Sequence, residues 1–366
     1  MNLRTKGKAE NIEEIFIGKV SFKNSEEEFI EVHSIDGDIV FVTKEYLPNK
    51  SKQVFNIKNI CDFSLEDVVS INGAGGINIL YRKNSFHNTL LFTERCNSNC
   101  LMCSQPPKDK DDTKVWHYIH SKAIPLIPKD CFELGVSGGE PTILGDNFFN
   151  LIQQISHELP DTSIHVLTNG RNFAKNHWAE RLGKINNPNM MLGIPLYSDF
   201  YQQHDYIVQA KNAFYQTILG LHNLNRYNIR LELRIVLHKQ TIGRLKNLSQ
   251  YIYKNLPFIE HVTFMGLENI GYTPFNMDKL WVDPFDYKEE LEEAVLFLNK
   301  KGMRVSIYNT QLCLLNEKSH EFAKKSISDW KNEYLEVCDL CKKKEECAGF
   351  FRWNLDMKGK HVTPFV

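Results

Sequence analysis

The stretch that decides the fold reads Thr93-Glu94-Arg95-Cys96-Asn97-Ser98-Asn99-Cys100-Leu101-Met102-Cys103. Its cysteines are separated by three and then two residues, so a short loop offers three thiolates to one metal cluster. Iron–sulfur clusters normally take four cysteine ligands, and a loop that supplies three leaves one iron open to another ligand. The same spacing also suits a zinc knuckle or three reduced core cysteines. The sequence that follows weakens both of these alternatives.

A second motif, Gly138-Gly139-Glu140-Pro141, closes the apolar run that begins at Phe132. Glycines let a backbone approach a ligand without a Cβ in the way, and Pro141 fixes the turn. Glu140 either stabilises a nearby cation or positions the loop. Alone, such a box is more often an ordinary turn. Placed downstream of the cysteine triplet, it favours a cofactor site that uses both motifs.

The two motifs together resemble the radical S-adenosylmethionine (SAM) enzymes. In that family three cysteines of this spacing hold a 4Fe-4S cluster, and SAM occupies the open iron. The resemblance implies an α/β fold, a partial (β/α)6 TIM-type barrel, in which the box at 138–141 ends the second strand and binds the SAM amino group. The implied reaction is reductive cleavage of SAM to a 5'-deoxyadenosyl radical. The residue before the third cysteine, commonly aromatic in the family, is Met102, whose polarizable sulfur can still pack against adenine.

Composition bounds the remaining possibilities. The chain has 366 residues, 42% of them hydrophobic, and a formal net charge of -1, so it carries no basic footprint for nucleic acid and no polybasic membrane patch. No stretch reaches the roughly eighteen apolar residues of a membrane helix. We therefore expect a soluble, cytoplasmic protein whose cysteines are reduced, with the clustered ones serving as metal ligands. Cys61, isolated in sequence, is expected to be a small buried hydrophobe.

Periodicity predicts three regions. Residues 1–85 read as a small β-rich domain, with runs at 15–20, 38–42 and 78–81. Residues 86–310 alternate strand-like and helical runs, as parallel βα units do, and the resemblance implies that they form the partial barrel. Residues 311–366 form a C-terminal cysteine-rich extension. The predicted barrel strands are Asn88–Phe92, Phe132–Val136, Ser163–Leu167, Met191–Leu196, Leu231–Leu237 and His261–Met265, with helices at Asn147–Glu158 and Leu245–Asn255.

Polar side chains close the later barrel strands. Thr168 and Asn169 end the third strand, Ser198 ends the fourth, and Arg234 lies on the polar face of the fifth. The family resemblance makes these four residues candidates for SAM binding, with Ser198 and Arg234 at the ribose or carboxylate. A purely structural salt bridge between Glu232 and Arg234 remains open. No residue is assigned a catalytic role of its own.

A second group of cysteines lies near the C-terminus, at Cys338, Cys341 and Cys347, with Cys313 earlier in the chain. Four thiolates complete a closed site, and structural zinc is the ordinary reading of a Cys-x-x-Cys pair. Radical SAM members that act on peptides commonly carry such an extension with an auxiliary 4Fe-4S cluster, and the resemblance therefore favours iron–sulfur over zinc. Cys313 is either the fourth ligand or a core residue.

Three longer stretches resemble one family of radical SAM proteins, the His-Xaa-Ser system maturase called HxsC. These stretches are residues 96–107, 234–241 and 326–335. The resemblance implies a ribosomally made substrate peptide with a His-Xaa-Ser repeat, a second radical SAM protein as partner and a low-potential electron donor. Two other functions stay open, namely a radical SAM enzyme for a small metabolite and a catalytically silent metal-binding partner. No motif assigns a role to the N-terminal domain.

Overall fold

The computed structural model of the protein describes residues 3–24, 28–328, 330–357 and 361–366. Asp329, within the last of the three stretches quoted above, lies outside the described residues. The chain divides into two compact units, the first comprising Met1–Thr93 with Lys110–His165 and the second Glu94–Asp109 with Val166–Val366. The domain boundaries predicted after residues 85 and 310 stay predictions.

The first unit begins with an eight-stranded sheet, antiparallel except where β5 pairs with β6. Its strands are β1 (Arg4–Lys6), β2 (Lys8–Glu10), β3 (Phe16–Asn24), β4 (Phe29–His33), β5 (Ile39–Thr43), β6 (Gln53–Phe55), β7 (Val68–Ile71) and β8 (Gly76–Tyr81). The order is β1-β8-β7-β3-β4-β5-β6-β2. The first and last strands of this order, β1 and β2, are separated in sequence only by Gly7. Apolar side chains that alternate along the strands, such as Val20, Ile30, Val40 and Ile71, fill the core that the sheet encloses.

The first unit also carries the opening βα elements of a parallel sheet. They are β9 (Asn88–Leu91), α1 (Thr113–Ala123), β10 (Glu133–Ser137), α2 (Asp146–Glu158) and the start of β11 (Ser163–Leu167). β9 and β10 pair in parallel. On α2, Phe148, Ile152 and Ile155 recur at helical spacing and are fully buried.

The parallel strands of the second unit follow the order β11-β12-β13-β14-β15-β16, beginning at the end of β11. Its strands are β12 (Met190–Pro195), β13 (Arg230–Leu237), β14 (His261–Gly266), β15 (Arg304–Tyr308) and β16 (Ala323–Lys324). Its helices are α3 (Asn176–Gly183), α4 (Tyr201–Val208), α5 (Ala213–Arg226), α6 (Lys239–Ile242), α7 (Leu245–Asn255), α8 (Met277–Leu280) and α9 (Lys288–Lys300). A short antiparallel pair, β17 (Asn332–Glu333) and β18 (Phe350–Phe351), lies in the C-terminal region.

The six predicted parallel strands are all present, and each end agrees within one residue. β15 and β16 extend the sheet beyond those six. On β13 the residues Leu231, Leu233, Ile235 and Leu237 are buried on one face, as the alternation predicted. The prediction for Cys61 is wrong, because its side chain is exposed in a short 3-10 turn. Among the described residues, no helix is both long and apolar enough to cross a bilayer.

Candidate metal centre

The cysteine triplet lies on a loop of the second unit without regular secondary structure. Its backbone is tied to the end of α4, where the N–H groups of Asn99 and Leu101 donate to the carbonyls of Val208 and Ile207, both at 3.0 Å. Within the loop, the N–H of Cys103 donates to the carbonyl of Cys100 at 3.1 Å, which closes a tight turn. The loop is therefore held in one conformation although it belongs to neither a helix nor a strand.

Side chains that follow β11 hold the first half of this loop. The Arg171 guanidinium donates to the carbonyl of Asn97 and, at 2.9 Å, to Ser98 Oγ. The amide of Asn169 donates to Asn97 Oδ1 at 2.6 Å. Thr168 turns inward and accepts the N–H of Gly170 at 3.2 Å. Of the two residues predicted at this strand end, Asn169 reaches the cysteine loop, while the SAM contacts of both stay predictions.

Residues after β14 hold the second half of the loop, and sequence reasoning missed them. The N–H of Tyr272 donates to the carbonyl of Cys103, and Asn276 Nδ2 donates to the carbonyl of Leu101, both at 2.9 Å. Gly271 has a φ of +65°, and a Cβ there would lie 2.7 Å from the carbonyl carbon of Ser104. Gly271 and Pro274 mark a turn in the sequence. Nothing local indicates which distant loop this turn contacts.

The three thiols converge closely enough to affect one another electrostatically. Burial raises the pKa of Cys100, the neighbouring Cys103 and Cys96 raise it further, and the Arg171 guanidinium opposes the shift. Burial also raises the pKa of Cys103. Three converging thiolates need a compensating positive charge, which the irons of a cluster supply. The chemistry of this donor set therefore fits an iron–sulfur cluster.

Apolar side chains pack beneath the cysteine loop. Leu101 and Met102 belong to one buried cluster with Tyr197, Ile207 and Leu267. Met102 is 7% exposed. Such packing excludes water on this side of the cysteines. The predicted contact between Met102 and adenine stays a prediction.

The Gly-Gly-Glu-Pro box lies in the first unit, immediately after β10. A Cβ on Gly138 would lie 2.8 Å from the carbonyl oxygen of Thr93, and the N–H of Gly139 donates to that same oxygen at 2.8 Å. Glu140 is fully buried, and its carboxylate accepts from Thr142 N at 3.1 Å and from Thr142 Oγ1 at 2.5 Å. It thereby caps the 3-10 turn Pro141–Leu144. These contacts match the second role considered for Glu140, that of positioning the loop.

The two other predicted cofactor residues have protein partners in the second unit. Ser198 is fully buried, and its hydroxyl donates to Gln203 Oε1 at 2.8 Å. Arg234 Nη1 donates to Glu232 Oε1 at 2.8 Å, so the salt bridge that the sequence left open is present. The SAM contacts of Ser198 and Arg234 stay predictions.

The four C-terminal cysteines come together. Cys313, Cys338, Cys341 and Cys347 line one cavity of about 380 Å³, a volume that includes its open side. Burial raises the pKa of Cys313 to about 11, and the charges of Cys347 and Cys338 contribute to the shift. The residue that was uncertain from sequence, Cys313, therefore shares a cavity with the other three.

Among the residues that the structure describes, no three His, Cys, Asp or Glu side chains are placed to hold one metal ion.

Comparison with known proteins matches part of the chain to a family model and relates its fold to solved structures. Residues 90–252 match the model of the Radical SAM superfamily. The structure of native anSMEcpe with bound AdoMet superposes with a TM-score of 0.51 at 18% identity, covering 76% of this chain and 92% of that one. Streptococcus suis SuiB gives a TM-score of 0.47 at 17% identity, covering 61% of this chain and 49% of SuiB, so the match spans about half of SuiB. No curated protein matches the sequence. The predicted α/β class, with a parallel sheet of the radical SAM partial-barrel type, is confirmed.

Proposed function

Because residues 90–252 form a radical SAM domain, the mark of an iron–sulfur enzyme, we propose that this protein is a maturase that reductively cleaves SAM and modifies a ribosomally made peptide. The observation that carries the proposal is the anchored loop on which Cys96, Cys100 and Cys103 converge. These thiolates hold a 4Fe-4S cluster, which, when bound, supplies the electron that splits SAM. Arg171 and Asn169 hold the loop through hydrogen bonds. Met102, which belongs to the loop, packs into the buried apolar cluster.

The residues proposed to bind SAM are carried over from the family resemblance. Close approach of backbone to a ligand explains the glycines of the box, and hydrogen-bonding side chains at strand ends explain the others. The proposed set is Gly138, Gly139, Glu140, Pro141, Met102, Thr168, Asn169, Ser198 and Arg234.

A second 4Fe-4S cluster is proposed in the C-terminal cavity, on Cys313, Cys338, Cys341 and Cys347. The shared cavity supports this set of four ligands. Zinc on the same four cysteines is the alternative, and the family resemblance favours the cluster. With four cysteine ligands the site is closed, and a closed site suits electron transfer rather than substrate binding.

The proposed substrate is a peptide of the His-Xaa-Ser type, acted on in the cytoplasm together with a second radical SAM protein and a low-potential electron donor. The resemblance of residues 96–107, 234–241 and 326–335 to the HxsC family supports this choice. A structure of anSMEcpe, whose fold this chain shares at a TM-score of 0.51, holds both AdoMet and the Cp18Cys peptide. A protein of this fold thus binds both AdoMet and a peptide.

The test is anaerobic. The purified protein is reconstituted with iron and sulfide, both are counted, and dithionite and SAM are added with and without a His-Xaa-Ser repeat peptide. We expect about eight irons per chain, release of 5'-deoxyadenosine, and a mass change in the peptide. The matched control is Cys100→Ala, which should release no 5'-deoxyadenosine.

Each other outcome selects a different function. Deoxyadenosine release with no mass change in any peptide would favour a small-metabolite enzyme. Full iron content with no deoxyadenosine under any reductant would favour a silent metal-binding partner. About four irons together with zinc would leave the enzyme in place and make the C-terminal site structural.

A further inference from the structure

A buried chain of polar side chains crosses β13, β14 and β15 in the second unit. One oxygen of Glu232 accepts from Arg234 at 2.8 Å, and the other lies 3.2 Å from His261 Nδ1. His261 Nε2 lies 3.0 Å from Ser306 Oγ. Glu232, His261 and Ser306 are each less than 5% exposed, whereas the Arg234 side chain is 20% exposed. Of these four side chains, only that of Arg234 is partly accessible to solvent, and its guanidinium lies at one end of the series.

The hydrogen-bonding roles in this chain follow from its donors and acceptors. An ionised Glu232 can only accept, so His261 donates through Nδ1; a neutral imidazole then accepts from the Ser306 hydroxyl through Nε2. Each oxygen of Glu232 then has its own donor, which satisfies the buried charge. The result is a guanidinium fixed by a carboxylate that is itself fixed by a histidine.

One further donor lies beside Arg234. Thr263 of β14 is in register with Arg234 on one side and with Ser306 on the other, and residues opposite one another in parallel strands project from the same face. Thr263 is fully buried, and its Oγ1 has no hydrogen-bond partner among the described residues. Arg234 has five N–H donors and gives one of them to Glu232. This face therefore presents several donors and requires an acceptor.

We propose that Glu232 and His261 are positioning residues, which hold the Arg234 guanidinium so that it binds a carboxylate together with Thr263. The inference rests on the proposed function, in which that carboxylate belongs to the methionyl group of SAM. A free arginine side chain loses rotamer entropy when it binds a ligand, and a guanidinium already fixed in the free protein loses less of it. Fixing Arg234 in the free protein therefore increases its affinity for the carboxylate.

The kinetic signature of this role is specific. A contact with the carboxylate is equally present before and during cleavage of SAM, so its loss raises KM and leaves kcat nearly unchanged. General damage to the fold lowers the fraction of active protein, and hence kcat, instead. The same strand offers a matched control, because Arg230 and Glu260 form an ion pair at 2.6 Å with side chains 43% and 37% exposed.

The experiment compares Glu232→Gln with Glu260→Gln in reconstituted protein. For Glu232→Gln we expect the KM for SAM, and the SAM Kd from equilibrium dialysis, to rise about tenfold while kcat stays within about threefold. For Glu260→Gln we expect no change in either constant. A second pair covers the case in which Glu232→Gln does not fold. His261→Asn keeps an N–H donor near the position of Nδ1 and should resemble the unsubstituted protein, whereas His261→Leu should reproduce the rise in KM.

A measurement without SAM separates this inference from the proposed function. In SAM-free protein, the NMR order parameter of the Arg234 Nε–H group should fall in Glu232→Gln and stay unchanged in Glu260→Gln. Equal order parameters in the two variants, equal KM values, or equal behaviour of His261→Asn and His261→Leu would each refute the positioning role. If the unsubstituted protein binds no SAM while the order parameters differ as expected, the proposed function fails and the positioning of Arg234 stands.

Discussion

The two cysteine sites of the second unit are built in different ways. Cys96, Cys100 and Cys103 sit on one short loop, and residues from three distant segments, 169–171, 207–208 and 271–276, hold it. The C-terminal cysteines are spread from residue 313 to residue 347 and are held largely by their own region. Tyr334 OH, for example, donates to the carbonyl of Cys347 at 2.9 Å. The ends of the parallel strands thus shape the first site, whereas the second depends on how the C-terminal region folds on itself.

The largest expected effect separates the two sites by function. Cys347→Ala should lose about four of about eight irons and the modified peptide, yet still release 5'-deoxyadenosine from SAM, because the triplet remains intact. Iron and sulfide counts, with chromatography of the nucleoside product, measure this. Cys131→Ala is the matched control, because Cys131 is buried and lines neither site. Loss of deoxyadenosine release in Cys347→Ala would show that the two sites depend on each other.

Cys313 sharpens the comparison, because it is the one cysteine of the four that lies outside the 338–347 segment. Cys313→Ala should lower the iron content and alter the electron paramagnetic resonance spectrum of the C-terminal cluster, since one iron loses its thiolate. The triplet cluster should keep its spectrum. Iron and sulfide contents equal to those of the unsubstituted protein would remove Cys313 from the ligand set.

Glycines with positive φ stand beside both sites and predict a graded effect. At Gly271 a Cβ would meet backbone, 2.7 Å from the carbonyl carbon of Ser104, whereas at Gly349 it would meet the Asn332 side chain at 2.6 Å and backbone only at 3.0 Å. Gly302 has a φ of +79° and open space around it. Gly302→Ala should therefore cost only the left-handed conformation, about 1–2 kcal/mol. Gly349→Ala should cost more than that, and Gly271→Ala most.

Urea unfolding of the three alanine variants measures these differences, with the midpoint as readout at constant m. Gly271→Ala should also reduce the iron held by the triplet, because the carbonyl of Cys103 has to move. An equal loss of stability in Gly271→Ala and Gly302→Ala would contradict this expectation. It would mean that the cysteine loop can shift away from residue 271 at no cost in stability.

The first site could be predicted from sequence to a much greater extent than the second. Its ligands lie close together in the sequence. The strands that surround it follow alternation patterns that a short window of sequence reveals. The triplet, the box and all six predicted strands were therefore visible before the structure. The Glu232–Arg234 ion pair was considered as well, because both residues lie on one face of one strand.

Contacts between distant segments could not be predicted. Tyr272 and Asn276 reach the cysteine loop from far along the chain, and neither residue type signals such a role. The participation of His261 in the polar chain needed the register of β13 against β14, which no single strand encodes. Cys313 was uncertain for the same reason, since its approach to Cys338 and Cys347 depends on the path of the chain between them.

The smallest expected effect tests whether the C-terminal site is held by its own region. Tyr334→Phe removes the hydrogen bond to the carbonyl of Cys347 and should cost about 1 kcal/mol. Tyr253→Phe is the matched control, because Tyr253 is 37% exposed and lies outside the cavity of the four cysteines. Tyr334 also lines the cavity of the four cysteines. Loss of its hydrogen bond should therefore speed the release of iron from the C-terminal cluster to a chelator and leave the triplet cluster unchanged. Faster release from both clusters would mean that the C-terminal region also supports the cysteine loop, and the distinction between the two sites would no longer hold.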